Sequence, residues 1–219
     1  LSRIGKPKAV LFDFDGTFAD TAPDLAAAVN RMRTQRGLAP LETAAVRPYA
    51  SMGARGMLRI AFGMAPEHPD YEAMKREFLE RYAQAICVHT RLFPGMEPLL
   101  GELEQRAIAW GIVTNKATRL TESIVPQLGV RPACLVCGDS TPYLKPHPAP
   151  LLLAAERLAL APAECVYVGD DLRDVQAARA AGMRCAAVEY GYHGADTVGP
   201  RAWNADLVIT HPQELLEHL

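Results

Sequence analysis

Past residue 92, short apolar runs alternate with amphipathic stretches of helical length, and this alternation restricts the fold more than anything else in the chain. Apolar runs at 108–114, 134–137, 165–168 and 184–188 are separated by predicted helices at 98–106, 118–128, 149–160 and 171–181, with 207–209 as a last strand. A further run, Ala9-Val10-Leu11-Phe12, stands near the start, unbroken by polar residues, as in strands buried on both faces of a parallel sheet. Strand–helix repetition of this kind predicts a doubly wound parallel sheet.

The segment between the first strand and Phe93 has a different texture. Thr21 with Asp24 reads as a capping box, Pro23 suits a first helical turn, and Gly37 suits a helix end. Met74, Phe78, Tyr82 and Ile86 follow at steps of four, an apolar stripe expected to be ordinary core packing. The predicted architecture is therefore α/β: a Rossmann-like doubly wound core (residues 1–19 and 91–219) carrying a small all-helical cap domain (20–90) inserted after the first strand. A chain of 219 residues is long enough for both.

A formal net charge of -2 gives no electrostatic case for nucleic acid, which calls for a basic face. No apolar run approaches the ~18 to 20 residues of a membrane span, and the opening LSRIGKPKAV lacks the apolar middle of a signal peptide. The expected location is cytoplasmic. The five cysteines read as small hydrophobes; Cys134 and Cys137 have C-x-x-C spacing, but no second pair completes a zinc site.

In an open α/β sheet, ligands bind beyond the carboxyl ends of the strands. Here those ends read Asp13-Phe14-Asp15-Gly16-Thr17, then Thr114-Asn115, then Gly169-Asp170-Asp171 with Asp174 a turn further on, and Lys145-Pro146 precedes the helix before that last strand. Uncompensated acids are costly at the end of a buried strand. Hard carboxylate oxygens at this density suit Mg²⁺, which is held by one or two carboxylates together with a phosphate oxygen, and Lys145 and Thr114 suit the remaining phosphoryl oxygens.

The strings DFDGT, VTN, KPHP and GDDLRD resemble, in order and over nearly the whole chain, the four motifs of the haloacid dehalogenase superfamily, and the helical insertion resembles the cap of its phosphoglycolate phosphatase and β-phosphoglucomutase type. The resemblance implies that Asp13 is a nucleophile forming an aspartyl-phosphate and that Asp15 is the general acid/base. It implies that Thr114, Asn115 and Lys145 bind the phosphoryl group, and that Mg²⁺ is held by Asp13, the main-chain carbonyl of Asp15, Asp170 and, through water, Asp174. An acid at position 15 sets the chain apart from dehalogenases and transport ATPases. Phe18 and Asp171 depart from the family pattern; Phe18 is expected only to repack the turn, and Asp171 to add an outer carboxylate or to cap the next helix.

The implied substrate is a small phosphate ester bearing a carboxylate, gripped by Arg55 of the SMGARGM segment through a bidentate guanidinium. LFPGM, KPHPAPLLLAAERL and YGY resemble phosphoglycolate phosphatases, acting on 2-phosphoglycolate. GARGM, WGIVTNK, GDDLRD and again YGY resemble phosphatases of N-acetylmuramic acid 6-phosphate. A β-phosphoglucomutase-type isomerase shares the cap and both aspartates but would release no phosphate. A signalling receiver domain lacks the helical insertion. Two readings stay open for His193, in YGYHG: lining the pocket entrance or, as is commoner for a loop histidine, simple exposure, and it is not counted among the site residues.

Overall fold

The computed structural model describes residues 6–194 and 198–219; the first five residues, part of the opening that lacks an apolar signal-peptide middle, lie outside them. Six parallel strands form the central sheet: β1 (Ala9–Phe12), β4 (Ala109–Val113), β5 (Cys134–Val136), β6 (Cys165–Gly169), β7 (Arg184–Val188) and β8 (Leu207–Ile209). Their order is β5-β4-β1-β6-β7-β8, so the chain runs outward from β1 to one side and then to the other. The crevice where that direction reverses opens beyond the carboxyl end of β1.

The unbroken apolar runs follow from burial on both faces. Val10, Phe12, Ile112 and Val168 pack on one side with α5 (Met96–Gln105) and α6 (Thr118–Ile124). Leu11, Val113 and Tyr167 pack on the other with α7 (Ala149–Arg157) and α8 (Leu172–Ala180). Between β1 and β4 stand α1 (Ala22–Gln35), the single turn α2 (Thr43–Val46), a 3₁₀ stretch at 47–52, α3 (Gly53–Phe62) and α4 (Tyr71–Gln84). Their buried side chains, among them Leu25, Met32, Met57 and Phe78, continue the first of these two cores without a break.

A two-stranded antiparallel ribbon, β2 (Ala19–Asp20) and β3 (Arg91–Leu92), joins the two chain crossings. Two-residue strands carry no periodic pattern, so nothing in the sequence announces them. Phe18 is fully buried and stacks on Trp110 at 5.7 Å and Phe14 at 6.1 Å, so its bulk repacks the turn as expected.

The capping box predicted at Thr21 does not form. The Thr21 hydroxyl donates to Asp15, and the Asp24 carboxylate accepts from the backbone N–H groups of His89 and Thr90 and from the Thr90 hydroxyl at 2.7 Å. Each side chain is taken by a partner outside the helix. The open N–H groups of α1 are satisfied by the Tyr192 phenol, which accepts from Thr21 and Ala22 at 2.8 and 2.9 Å and donates to Asp20 at 2.8 Å. Arg47 forms a two-pronged ion pair with the same Asp20, at 2.8 and 2.9 Å.

Candidate active site

Asp13 follows β1 directly, and its N–H donates to Val168 of the neighbouring strand, which fixes the residue at the mouth of the crevice. Thr114 follows β4 in the same way, donating its N–H to Val136. Asp170 follows β6, and Asp171 caps α8, its carboxylate accepting from the Arg173 N–H while Asp174 accepts from the N–H of Asp171. That capping box explains why an acid at 171 is compatible with the site. Its carboxylate is held below the usual range: burial would raise it, but the Arg173 guanidinium outweighs that.

One carboxylate oxygen from each of Asp13, Asp170 and Asp174 lies within 4.8 Å of the other two. Lys145, only 4% exposed, is the cation that answers this cluster, with its Nζ 2.8 Å from both Asp13 and Asp174 and 2.6 Å from the Tyr167 hydroxyl. Burial would lower the ammonium's pKa, yet the two carboxylates hold it above the usual value. One lysine does not neutralise three acids. Asp13 is pushed up to about 6, chiefly by burial and then by Asp174 and Asp15, against the pull of Lys145.

Asp170 is wholly buried, and its partners are neutral: the Thr17 hydroxyl at 3.1 Å, the Tyr192 N–H at 2.7 Å and the Ser51 hydroxyl at 3.3 Å. Burial, then the charges of Asp13 and Asp174, push its carboxyl well above the ordinary range. A buried acid facing other acids needs a cation, and an all-oxygen donor set of this kind fits Mg²⁺. Two glycines keep the space clear. A Cβ on Gly16, whose φ is +90°, would sit 2.1 Å from Asp170 Oδ2, and one on Gly191 would sit 2.2 Å from Asp170 Cβ.

The carboxylate of Asp15 turns away from this cluster. Its Oδ1 accepts from the Thr21 hydroxyl and from Lys116 Nζ at 2.9 Å. Two aspartates one residue apart thus have separate surroundings.

The amide of Asn115 does not reach into the crevice. Its Oδ1 accepts from the Lys145 N–H at 2.9 Å and its Nδ2 donates to the Lys145 carbonyl at 3.0 Å. Both ends of the side chain are engaged, so Asn115 holds the backbone of Lys145 in place. Thr114 is buried, and its Oγ accepts from the Lys116 N–H at 3.1 Å, which leaves the hydroxyl proton free to donate.

Above these residues lies a cleft of about 430 Å³. Its wall includes Asp13, Asp15, Thr114, Lys145 and Asp174 from the sheet side and residues 50–55 and several of α4 from the helical side. Ser51 reaches Asp170, and Arg173 donates to the Ser51 carbonyl at 2.9 Å, so the helical segment touches the acid cluster itself. Arg55 is exposed and lines the cleft.

The stripe Met74, Phe78, Tyr82 and Ile86 packs in the core as expected, and two of its members, Phe78 and Tyr82, also line the cleft beside Tyr71 and Lys75 of α4. Lys116 and Ser51 join the site without a motif of their own to mark them. The only local signal for Lys116 is its place directly after Thr114-Asn115. His193 is not simply exposed: it is half-buried, with Nε2 3.1 Å from the Val188 carbonyl and its ring edge-on to Trp203.

The family model for haloacid dehalogenase-like hydrolases matches residues 10–188. The chain is 48% identical over 211 residues to the N-acetylmuramic acid 6-phosphate phosphatase of Pseudomonas putida, covering 95% of this chain and 94% of the relative. It is 47% identical over 216 residues to the phosphoglycolate phosphatase of Xanthomonas campestris, covering 96% of each. The crystal structure of a predicted phosphoglycolate phosphatase from Haemophilus somnus is similar with a TM-score of 0.81, 25% identity and 97% of each chain covered. With the match over most of its length, and the acids at the ends of β1 and β6 in one crevice, this chain belongs to the haloacid dehalogenase-like hydrolases.

Proposed function

We propose that this hydrolase is a Mg²⁺-dependent phosphatase that cleaves a small carboxylate-bearing phosphomonoester by way of an aspartyl-phosphate. The observation that carries the reading is the contrast between the two aspartates, Asp13 set against Lys145 and the acid cluster, Asp15 set against Thr21 and Lys116. A carboxylate oxygen of Asp13 attacks phosphorus, and the bond to the ester oxygen breaks. Asp15 gives that oxygen its proton, so the alcohol leaves neutral. Asp15 then takes a proton from the water that attacks the aspartyl-phosphate, releasing phosphate and restoring both carboxyl groups.

Lys145 and the Thr114 hydroxyl hold the phosphoryl oxygens through this exchange. The residues that would hold Mg²⁺ are Asp13, Asp170 and the Asp15 carbonyl, with Asp174 through water. When bound, the ion neutralises charge on the acids and on the phosphoryl group. The helical segment 20–90 acts as a cap that excludes water from the acyl-phosphate.

On the cap, Arg55 has no hydrogen bond or ion pair among the described residues, and its guanidinium suits a substrate carboxylate. Relatives near half identity are named for two such substrates, 2-phosphoglycolate and N-acetylmuramic acid 6-phosphate. The cleft favours the larger: about 430 Å³ is far more than a two-carbon acid fills and lies in the range that encloses a drug-sized ligand. A cytoplasmic setting accords with the free thiols of all five cysteines.

The test is phosphate release from a panel holding both acids, several sugar phosphates and p-nitrophenyl phosphate, with Mg²⁺ and with chelator. The reading expects Mg²⁺-dependent release, fastest from an ester with a carboxylate. Conversion of a sugar phosphate without release would instead mark an isomerase.

A further inference from the structure

The hydroxyl of Tyr82 has no hydrogen-bond partner among the described residues, although the side chain is only 1% exposed. A buried polar group left unpaired is costly and uncommon, and where it persists a bound ligand is one way to satisfy it. Burial pushes this phenol up to about 12 against the pull of the nearby Lys116 charge, so it stays protonated and able to donate.

Its position says what it faces. Tyr82 lines the cleft from α4, and Lys116 Nζ lies over its ring, 4.7 Å from the centroid. The same Nζ is 2.9 Å from Asp15, the residue assigned to the departing alcohol. Tyr82 therefore stands on the alcohol side of the scissile bond, beyond Asp15 and away from the three-acid cluster. Beside Lys116, Phe78 stacks parallel to Tyr82 at 6.2 Å, and Leu25, Leu79 and Leu120 add apolar surface to the same cleft. Apolar surface next to a buried phenol whose proton has no acceptor among the described residues matches a short acyl group, whose methyl packs against rings and leucines while its carbonyl oxygen accepts from the phenol.

We propose that Tyr82 is a specificity-determining residue that donates to the carbonyl oxygen of an acylamino group on the alcohol, which makes the substrate class an N-acylated sugar acid phosphate. This rests on the phosphomonoesterase reading above and extends it to the other end of the substrate. The hydroxyl selects among alcohols and leaves the phosphoryl chemistry to Asp13 and Asp15.

The test compares wild type with Tyr82→Phe on two esters that differ by one acyl group, N-acetylmuramic acid 6-phosphate and its de-N-acetylated form. Wild type is expected to prefer the acylated ester. In Tyr82→Phe the ratio of kcat/KM, acylated over deacylated, should fall about five- to tenfold, the worth of one neutral hydrogen bond. The melting temperature should not drop, because no acceptor among the described residues takes the phenol proton. A ratio unchanged within about twofold, or a wild-type preference for the deacylated ester, overturns the proposal. A lower melting temperature with an unchanged ratio would mark the hydroxyl as structural and overturn it too. If wild type released phosphate from no ester in the wider panel, the parent reading itself would fall.

Discussion

Replacing Lys145 by Met keeps the length of the side chain and removes its charge. In the native arrangement the ammonium is 2.8 Å from Asp13 and from Asp174, and those acids lie within 4.8 Å of Asp170. Without it, three acids share a buried crevice with no cation. Two unit charges at that separation repel by about 3 kcal/mol at an effective dielectric of about 20, and breaking a buried ion pair from one side costs about 3–5 kcal/mol. For a chain of this size such a loss lowers the melting temperature by roughly 10 °C.

The loss depends on pH in a stated direction. Lys145 is the group that pulls the Asp13 pKa down, so its removal lifts that carboxyl further above about 6. Protonation relieves the repulsion, and Lys145→Met should therefore be closer to wild type at pH ~5 than at pH ~8. Thermal melts in chelator at both pH values check this, and added Mg²⁺ should recover part of the loss at the higher pH. A variant within about 1 kcal/mol of wild type at pH ~8, with no change at pH ~5, would refute the idea that the lysine neutralises the cluster.

The same cluster makes metal binding compete with protons. Asp13 is raised from 3.8 to about 6, so the chelated fold binds more protons than the unfolded chain, and this contribution, about 3 kcal/mol, is present at low pH and lost as pH rises through about 6. Stabilisation by Mg²⁺, read as the shift in melting temperature, should grow from pH ~5 to ~7; a constant shift contradicts it. Gly16→Ala would drive a Cβ to 2.1 Å from Asp170 Oδ2 at a φ of +90°, and should cost at least about 2 kcal/mol and weaken Mg²⁺ binding measured by calorimetry. Arg55→Ala should lower kcat/KM for carboxylate-bearing esters about tenfold or more beyond its effect on p-nitrophenyl phosphate; equal losses on both would remove Arg55 from recognition.

The strands at 184–188 and 207–209 were legible to the residue, because Cys185 to Val188 and Leu207 to Ile209 are short apolar runs set apart by stretches of other texture. The acids at the strand ends were legible for the converse reason, since a carboxylate closing such a run is too costly to keep unless a cation or a ligand completes it. What was hidden depends on partners outside the local element. Thr21 and Asp24 have the spacing of a local cap, but Asp15 and the Thr90 region compete for them and win. Asn115 stands among phosphate-binding candidates, yet its amide matches the backbone of Lys145 at both ends. Tyr82 lies at core-stripe spacing, and only the arrangement of α4 against the crevice turns that stripe into a wall of the site. Lys116 gained its meaning from the position of Asp15, 101 residues away.

The central claim is that phosphorus is carried on the carboxylate of Asp13. Enzyme quenched during turnover, reduced with borohydride and mapped by mass spectrometry would convert an aspartyl-phosphate to homoserine at the labelled position. The account predicts that conversion at Asp13 alone, and none in Asp13→Asn, which should also fail to release phosphate. Label at another residue, or undiminished turnover by Asp13→Asn, would contradict it.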